Sequence, residues 1–112
     1  MNPEQVEENS INKLVSNARA IIANEVALPQ GCIRMERVLM ALHASPDISY
    51  PLFRDYLQEV RKQGPLPIGQ ERLQWDRDKL AELDLRLRAL NSRYEAKIIE
   101  TCWTILDRHG NN

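Results

Sequence analysis

Residues 76–109 read DRDKLAELDLRLRALNSRYEAKIIETCWTILDRH, and this stretch decides the fold. Apolar residues recur in it at steps of three and four, which places their side chains along one side of an α-helix. Asp76 is a good N-cap and Gly110 follows the last residue of the pattern, so the spacing predicts one helix from about Asp76 to His109. The first apolar stripe of this helix consists of Leu80, Leu83, Leu87, Leu90, Tyr94, Ile98, Cys102 and Ile105.

A second apolar stripe runs along the same predicted helix. Leu87 and Ala89, one from each stripe, are two positions apart, which is about 200° around the axis at 3.6 residues per turn. The second stripe therefore lies nearly opposite the first. A surface helix needs only one apolar stripe, so two stripes predict that protein packs on both sides. The second stripe consists of Leu85, Ala89, Ser92, Ala96, Ile99, Trp103 and Leu106, and its small central residues favour close approach of another helix.

The predicted helix is long for the size of the chain. At about 1.5 Å per residue it spans about 50 Å, whereas a compact chain of this size has a diameter of roughly 34 Å. The helix must bend, belong to an elongated bundle, or extend beyond its own chain onto another subunit. We expect self-association through the second stripe. The alternative is that the second stripe packs only on the N-terminal segment of the same chain.

Three shorter helices precede the long one. Asn2 can cap the first of them, Pro3 suits its first position, and Gln5 lies three residues after the cap. Gly31 is a weak helix position, so a turn is predicted at Leu28-Pro29-Gln30-Gly31, before the second helix. The three helices are predicted at about Glu4–Asn24, Gln30–Ala44 and Tyr50–Lys62, each with an apolar stripe of helical period.

Residues 64–75 form the least regular segment, with prolines that force extended backbone at their neighbours. Leu66, Ile68 and Trp75 make it too apolar for a freely solvated linker, so we expect an ordered loop that packs back onto the helices. The sequence therefore predicts a single all-α domain over residues 1–112, a four-helix bundle with a long C-terminal helix.

Composition limits the class of protein. The chain has 112 residues, 43% of them hydrophobic and 28% charged, with a net charge of −1. This balance is typical of a soluble globular protein and argues against a dedicated nucleic-acid or membrane-surface binder, since such proteins concentrate Lys and Arg. The first ten residues are polar and acidic, unlike a signal peptide, and no apolar run is long enough to span a membrane. We expect a cytoplasmic protein.

The chain resembles a family of small bacterial helical proteins catalogued as a domain of unknown function (number 2489). The resemblance covers most of residues 14–106 and rests on Ala18-Arg19, Gly31-Cys32, Leu66-Pro67-Ile68-Gly69 with Arg72 and Trp75, and then Tyr94 and Cys102 in the long helix. It implies a helical fold and brings no known activity. Some relatives resemble membrane-tethered proteins with an N-terminal hydrophobic segment. Because this sequence has no such segment, tethering is not expected.

Residues that could carry chemistry are few. Cys32 and Cys102 lie inside helical patterns and are predicted to be small buried hydrophobes, able to form a disulfide only if their helices meet. His43 and His109 lie near helix ends, where the helix dipole stabilises a charged histidine. Ligand spacings such as Cys-x-x-Cys and activated-serine motifs are missing from the sequence, so we predict no metal site, no cofactor and no enzyme activity.

Arg72 is the charged residue that the sequence singles out, because it lies beside Trp75 in the segment predicted to be ordered. Its planar guanidinium could recognise an anion or a partner carboxylate. The structural reading, which we prefer, is a clamp in which Arg72 stacks on Trp75 or bonds loop carbonyls.

The most economical functional hypothesis is a non-enzymatic cytoplasmic protein that binds another protein, itself included. An immunity- or antitoxin-like protein is one version, by analogy of size and charge alone, and a structural dimer is another. The rival class is a small-ligand binder or enzyme with a site at the 64–75 loop. No nucleic acid and no membrane is expected as partner. The predicted partner-binding residues are Arg72, Trp75, Leu85, Ala89, Ala96, Ile99 and Trp103.

Overall fold

The computed structural model describes residues 2–43, 47–63 and 76–110, and within these ranges every regular element is an α-helix. The fold prediction, an all-α bundle with a long C-terminal helix, is confirmed. The predicted ordered loop at 64–75 lies outside the described residues. The predicted end of the second helix at residue 44 is wrong, because that helix ends at Ala41 and Leu42 is its C-cap. The helices are α1 (Pro3–Ile22), α2 (Leu28–Ala41), α3 (Leu52–Arg61) and α4 (Arg77–His109).

Local signals in the sequence fix the starts of α1 and α4. The side chain of Asn2 accepts a hydrogen bond from the backbone N–H of Gln5 at 2.8 Å, and Gln5 Oε1 accepts from the N–H of Asn2 at 3.4 Å. These two bonds make the predicted capping box. Asp76 caps α4 by accepting from the N–H of Asp78 at 3.1 Å. Both caps satisfy backbone donors that the first helical turn leaves without partners.

The end of α1 comes two residues earlier than predicted. Asn24 has φ of 58°, a left-handed conformation that Asn tolerates better than most residues. The N–H of Asn24 donates to the carbonyl of Ile21, and the N–H of Glu25 donates to the carbonyl of Ala20. This pair of bonds is a Schellman motif, which satisfies the last carbonyls of the helix and ends it.

The predicted turn at Leu28–Gly31 is wrong, because these residues form the first turn of α2. Pro29 lies in that first turn, where its missing N–H costs nothing. Gly31 is buried at the crossing of α1 and α2, and a Cβ atom there would lie 2.7 Å from Cγ1 of Ile21 and 3.2 Å from Cγ1 of Val26. The glycine thus serves the close approach of two helices rather than a turn.

The first apolar stripe of α4 faces the core, as predicted. Leu83, Leu90, Ile98, Cys102 and Ile105 are buried, and the other members of the stripe are half-buried. The core cluster also contains Leu14 and Ala18 from α1, Met35 from α2, and Phe53, Tyr56 and Leu57 from α3, among others.

The bundle is elongated, with principal extents of 49 × 28 × 22 Å. The start of α1 lies beside the end of α4, since Glu4, Glu8 and Arg108 line one depression, so the two helices run antiparallel. With 20 residues against 33, α1 is about 20 Å shorter than α4. The first third of α4 therefore extends beyond α1, and within residues 77–89 only Leu83 is buried.

Candidate protein-docking surface

The second apolar stripe of α4 points away from the core, and we call it the outer face: Leu85, Ala89, Ser92, Ala96, Ile99, Trp103 and Leu106. Leu85 is 62% exposed and Trp103 is 57% exposed. The three small residues between them are exposed as well, whereas Ile99 and Leu106 are half-buried. The alternative that the stripe packs only on the N-terminal segment of the chain is wrong for Leu85, Ala89, Ser92, Ala96 and Trp103, which are exposed, whereas Leu106 also packs against the core cluster. Coverage by another protein stays a prediction.

The outer face is a shallow strip with a narrow middle. From Leu85 to Leu106 it extends about 32 Å along the helix. Its one polar member, Ser92, donates its hydroxyl to the carbonyl of Arg88 at 2.9 Å. Because this hydrogen bond stays within the helix, the Ser92 hydroxyl keeps a partner when water leaves the strip. The face can therefore be covered without leaving an unsatisfied hydroxyl.

One edge of the outer face carries a row of exposed charges that we call the border strip: Arg86, Arg93, Glu100 and Asp107. The cations lie toward the N-terminal end of α4 and the carboxylates toward its C-terminal end. Arg86 pairs with Glu82 one turn earlier, and the guanidinium of Arg93 lies 5.9 Å from the ring centre of Tyr94. The opposite edge carries Arg88 and Glu95, which are also exposed.

A groove of about 460 Å³ lies between α1 and α2. Lys13, Arg34 and Arg37 line it, and its described lining includes no carboxylate. The buried amide of Asn17 is at the same place, but it donates to the carbonyl of Gly31 at 2.9 Å and so holds the two helices together. The groove is therefore a cationic depression, and its buried polar residue, Asn17, joins α1 to α2.

A depression of about 450 Å³ separates the start of α1 from the end of α4. Three carboxylates, Glu4, Glu7 and Glu8, line it together with Arg108 and His109. The excess of carboxylates over cations makes this depression acidic. It lies at the C-terminal end of α4, beyond Trp103 along the helix.

The two cysteines are free and buried, which confirms their prediction as small core residues. Burial raises the pKa of Cys102 to about 12, and burial together with the neighbouring Cys102 raises the pKa of Cys32 to about 12 as well. Because the thiolate is the reactive form, neither sulfur is a competent nucleophile at neutral pH.

The histidines have separate structural settings. Nδ1 of His43 lies 3.0 Å from the carbonyl of Met40, within the last turn of its own helix. Nε2 of His109 lies 2.9 Å from the hydroxyl of Tyr50, with the rings edge to face. Burial, and secondarily Arg108, lowers the pKa of His109, which favours the neutral imidazole beside the hydroxyl of Tyr50. Within the described ranges no group of His, Cys, Asp or Glu is arranged to hold a metal ion.

The Tyr50–His109 contact and a second one, in which the hydroxyl of Tyr56 donates to Oδ1 of Asn91 at 2.6 Å, were not anticipated. The residues of each pair lie far apart along the chain, and no local motif links them. Burial raises the pKa of Tyr56, which keeps its proton in this bond. Both contacts attach the third helix and the segment before it to α4.

The predicted partner-binding residues divide into two groups. Leu85, Ala89, Ala96, Ile99 and Trp103 share the outer face. Arg72 and Trp75 lie outside the described residues, as does the 64–75 loop of the ligand-binding alternative, so the structure does not relate them to that face. Of the basic residues on α3, Arg61 pairs with Glu36 at 3.0 Å and the adjacent Lys62 with Glu59 at 2.9 Å, an ordinary mixed surface.

Comparisons with known proteins agree with the resemblance noted in the sequence. Among the described residues, every helix is too short or too polar to span a lipid bilayer. Neither the curated proteins nor the solved structures include a match to this chain. Residues 3–105 match one protein family, and this range contains α1, α2, α3 and most of α4. The chain therefore belongs to the family described as "Protein of unknown function (DUF2489)".

Proposed function

We propose that this chain is a small, non-enzymatic protein-binding module of the bacterial cytoplasm, and that the outer face of α4 is its binding surface. The observation that carries the proposal is the exposure of Leu85 and Trp103 on one side of a helix whose other side forms the core. Apolar side chains aligned over several turns are typical of interaction sites. A tryptophan at such a site is the residue type that most often dominates binding energy.

The shape of the outer face supports a helical partner. Ala89, Ser92 and Ala96 leave a shallow channel between the larger residues at both ends. The distance between packed helices depends on the side chains at the contact, and small ones bring the axes toward the short end of the 8–10 Å range. A helix laid along α4 would contact Leu85 and Trp103 while its backbone approaches the small residues.

The reactive side chains support a binding role over a catalytic one. The raised pKa of Cys32 and Cys102 leaves almost no thiolate at neutral pH. His43 is held by the carbonyl of Met40, and His109 by the hydroxyl of Tyr50. Both histidines therefore have a structural partner that accounts for their position, and both thiols are buried in the core.

A photoreactive amino acid in place of Trp103 tests the proposal in the native cell. Irradiation should give covalent protein adducts from this position. Met40 is the matched control, because it is 68% exposed and lies on α2, away from the outer face. Adducts from position 103 and none from position 40 support the proposal. Equal labelling from both, or none from position 103, contradicts it.

An immunity- or antitoxin-like role is a second candidate, and the acidic depression at Glu4, Glu7 and Glu8 favours it. Carboxylates grouped in a concavity attract a basic partner surface and steer its approach. A toxin encoded beside this protein would be the ligand. The double variant Glu4→Lys/Glu8→Lys should lose binding to that toxin, whereas Glu25→Lys, an exposed carboxylate at the far end of α1, should not. Retained binding in the double variant would rule out this depression as the contact surface.

A further inference from the structure

We infer that the partner on the outer face is a second copy of this chain, with the two α4 helices antiparallel and in one defined register. This inference rests on the proposed function, because it takes the outer face to be the docking surface. It goes further in naming the occupant, the direction of its helix and the residues that meet. Two independent features of the face, residue size and charge order, select the same arrangement.

The spacing of the outer face is that of a coiled-coil seam, since its residues follow one another at alternating steps of four and three. The residues of such a seam occupy two alternating positions. In an antiparallel pair, a residue at one position lies opposite a partner residue at the other position. One register sets Ala89 against the partner's Leu106, Ala96 against the partner's Ile99, and Trp103 against the partner's Ser92. Each layer then joins a small side chain to a large one, which is how a packed interface fills its space.

The border strip gives the second argument. In the same register, Arg93 lies opposite the partner's Glu100, and Arg86 lies opposite the partner's Asp107. The order of charges along the strip, two cations followed by two carboxylates, is self-complementary only when the second helix runs in the opposite direction. The two-fold axis repeats each pair, so four opposite-charge contacts flank the seam. Such contacts select partner and direction more than they add affinity.

Other arrangements of two copies bring like charges together. In a parallel pair, Arg88 would face the partner's Arg93, and Glu95 would face the partner's Glu100. The small residues would also meet small residues and leave gaps. In the antiparallel register shifted by seven residues, Arg93 would face its own copy and Ala96 would lie on Ser92. Repulsion therefore disfavours the alternatives, which is the other half of specificity.

The Arg93–Glu100 pair is the sharper probe of this arrangement. Arg86 already bonds Glu82 in its own helix, and Asp107 also has an interaction within the chain. Arg93 and Glu100 are exposed, one on each side of the proposed two-fold axis. Arg93 has looser contacts within the chain than Arg86, since its guanidinium lies 5.9 Å from the ring centre of Tyr94 and its charge also acts on Glu59 of α3. Leu85, Ala89, Ser92, Ala96 and Trp103 are exposed, so a second copy can dock on them without displacing a helix of the bundle, and Leu106 offers the part of its side chain that its packing against the core leaves exposed.

Sedimentation equilibrium of the purified full chain tests the inference. The chain should dimerise. Arg93→Glu and Glu100→Arg should each raise the dimer dissociation constant by about tenfold or more, since each places like charges opposite one another twice. An equal mixture of the two variants should regain the parent affinity as a heterodimer, because both pairs become attractive again. Lys13→Glu, the same charge change on α1, should have no effect.

The outcomes separate this inference from the proposed function. A parallel dimer would be strengthened by either single variant, and that result overturns the antiparallel register. A dimer that is indifferent to both variants overturns it too. A chain that stays monomeric, but whose position 103 still cross-links to a different protein, overturns the inference and leaves the proposed function standing. A monomer without such adducts removes both.

Discussion

Asn17 and Gly31 join α1 to α2 at the point where the two helices come closest. The side-chain amide of Asn17 donates to the carbonyl of Gly31 at 2.9 Å, and both residues are buried. The hydrogen bond needs the carbonyl to be within reach of a short side chain, and the absence of a Cβ atom at Gly31 permits that approach. Gly31 thus allows α1 and α2 to come close together, and the hydrogen bond from Asn17 holds the two helices at that distance.

Gly31→Ala tests the close approach. In an unconstrained helix the change would stabilise the fold by about 1 kcal/mol, because Ala has the higher helix propensity. Here the new Cβ atom would lie 2.7 Å from Ile21, and overpacking of this kind costs about 1–3 kcal/mol. We expect a lower free energy of unfolding in urea. An increase in stability would show that the two helices are not in tight contact at this point.

Asn17→Ala removes the other half of the same contact. The loss of a buried hydrogen bond should lower the free energy of unfolding by about 1–2 kcal/mol. Asn12→Ala is the matched control, since Asn12 is exposed on the same helix. Equal effects of the two substitutions in chemical denaturation would mean that the bond to Gly31 contributes nothing specific.

Ala96→Arg tests the outer face. The sequence allowed two outcomes, loss of folding or dissociation of an assembly, and the exposure of Ala96 favours the second. The variant should melt within a few degrees of the parent but lose its dimer in light scattering, because a charged side chain would be forced into a closely packed layer. Ala41→Arg, at an exposed position on α2, is the control. A parent-like mass for Ala96→Arg would contradict the role of this face.

The burial of His109, together with the charge of Arg108, gives the stability a pH dependence. Because the pKa of His109 is lowered in the folded chain, the unfolded chain binds more protons between the lowered pKa and the ordinary value of about 6.5. The contribution of His109 is therefore fully present above about pH 6.5 and is lost as the pH falls through the folded pKa. Urea unfolding at several pH values should show a smaller acid loss in His109→Gln than in the parent. The control is His43→Gln, which should behave like the parent.

Burial of the thiols predicts slow alkylation. With a pKa of about 12, Cys32 and Cys102 should react with iodoacetamide at pH 8 roughly two to three orders of magnitude more slowly in the folded chain than in urea. Mass spectrometry of the labelled chain measures both rates. Rapid labelling of either thiol without denaturant would show that the core opens readily at that site.

What the sequence could predict depended on whether the signal was local. Asn2 with Gln5, and Asp76 with the pattern after it, place helix starts because each cap acts within three residues of itself. The turn predicted at Gly31 is wrong for the same reason. Its local signal, weak helix propensity, is overridden by the close approach to Ile21 of α1, a contact that the spacing within α2 does not reveal.

The outer face was predictable in composition but not in environment. Periodicity shows that Leu85 and Trp103 share one side of α4, but it cannot show that α1 is antiparallel and leaves these two residues exposed. The pairing of Tyr50 with His109 depends on the same tertiary arrangement, because the two residues are 59 positions apart. Neither residue type carries a motif that would point to the other.

The unequal lengths of α1 and α4 have a consequence for motion. The last third of α4 is held by Ile98, Cys102 and Ile105, whereas the first turns have Leu83 as their single buried anchor. Segments with few buried apolar contacts open at a fraction of the global unfolding free energy. The exchange rates of the amide protons of α4 with solvent should consequently form a gradient, fastest near Arg77 and slowest near Cys102. The N-terminal end of this continuous helix therefore opens more readily than its C-terminal end.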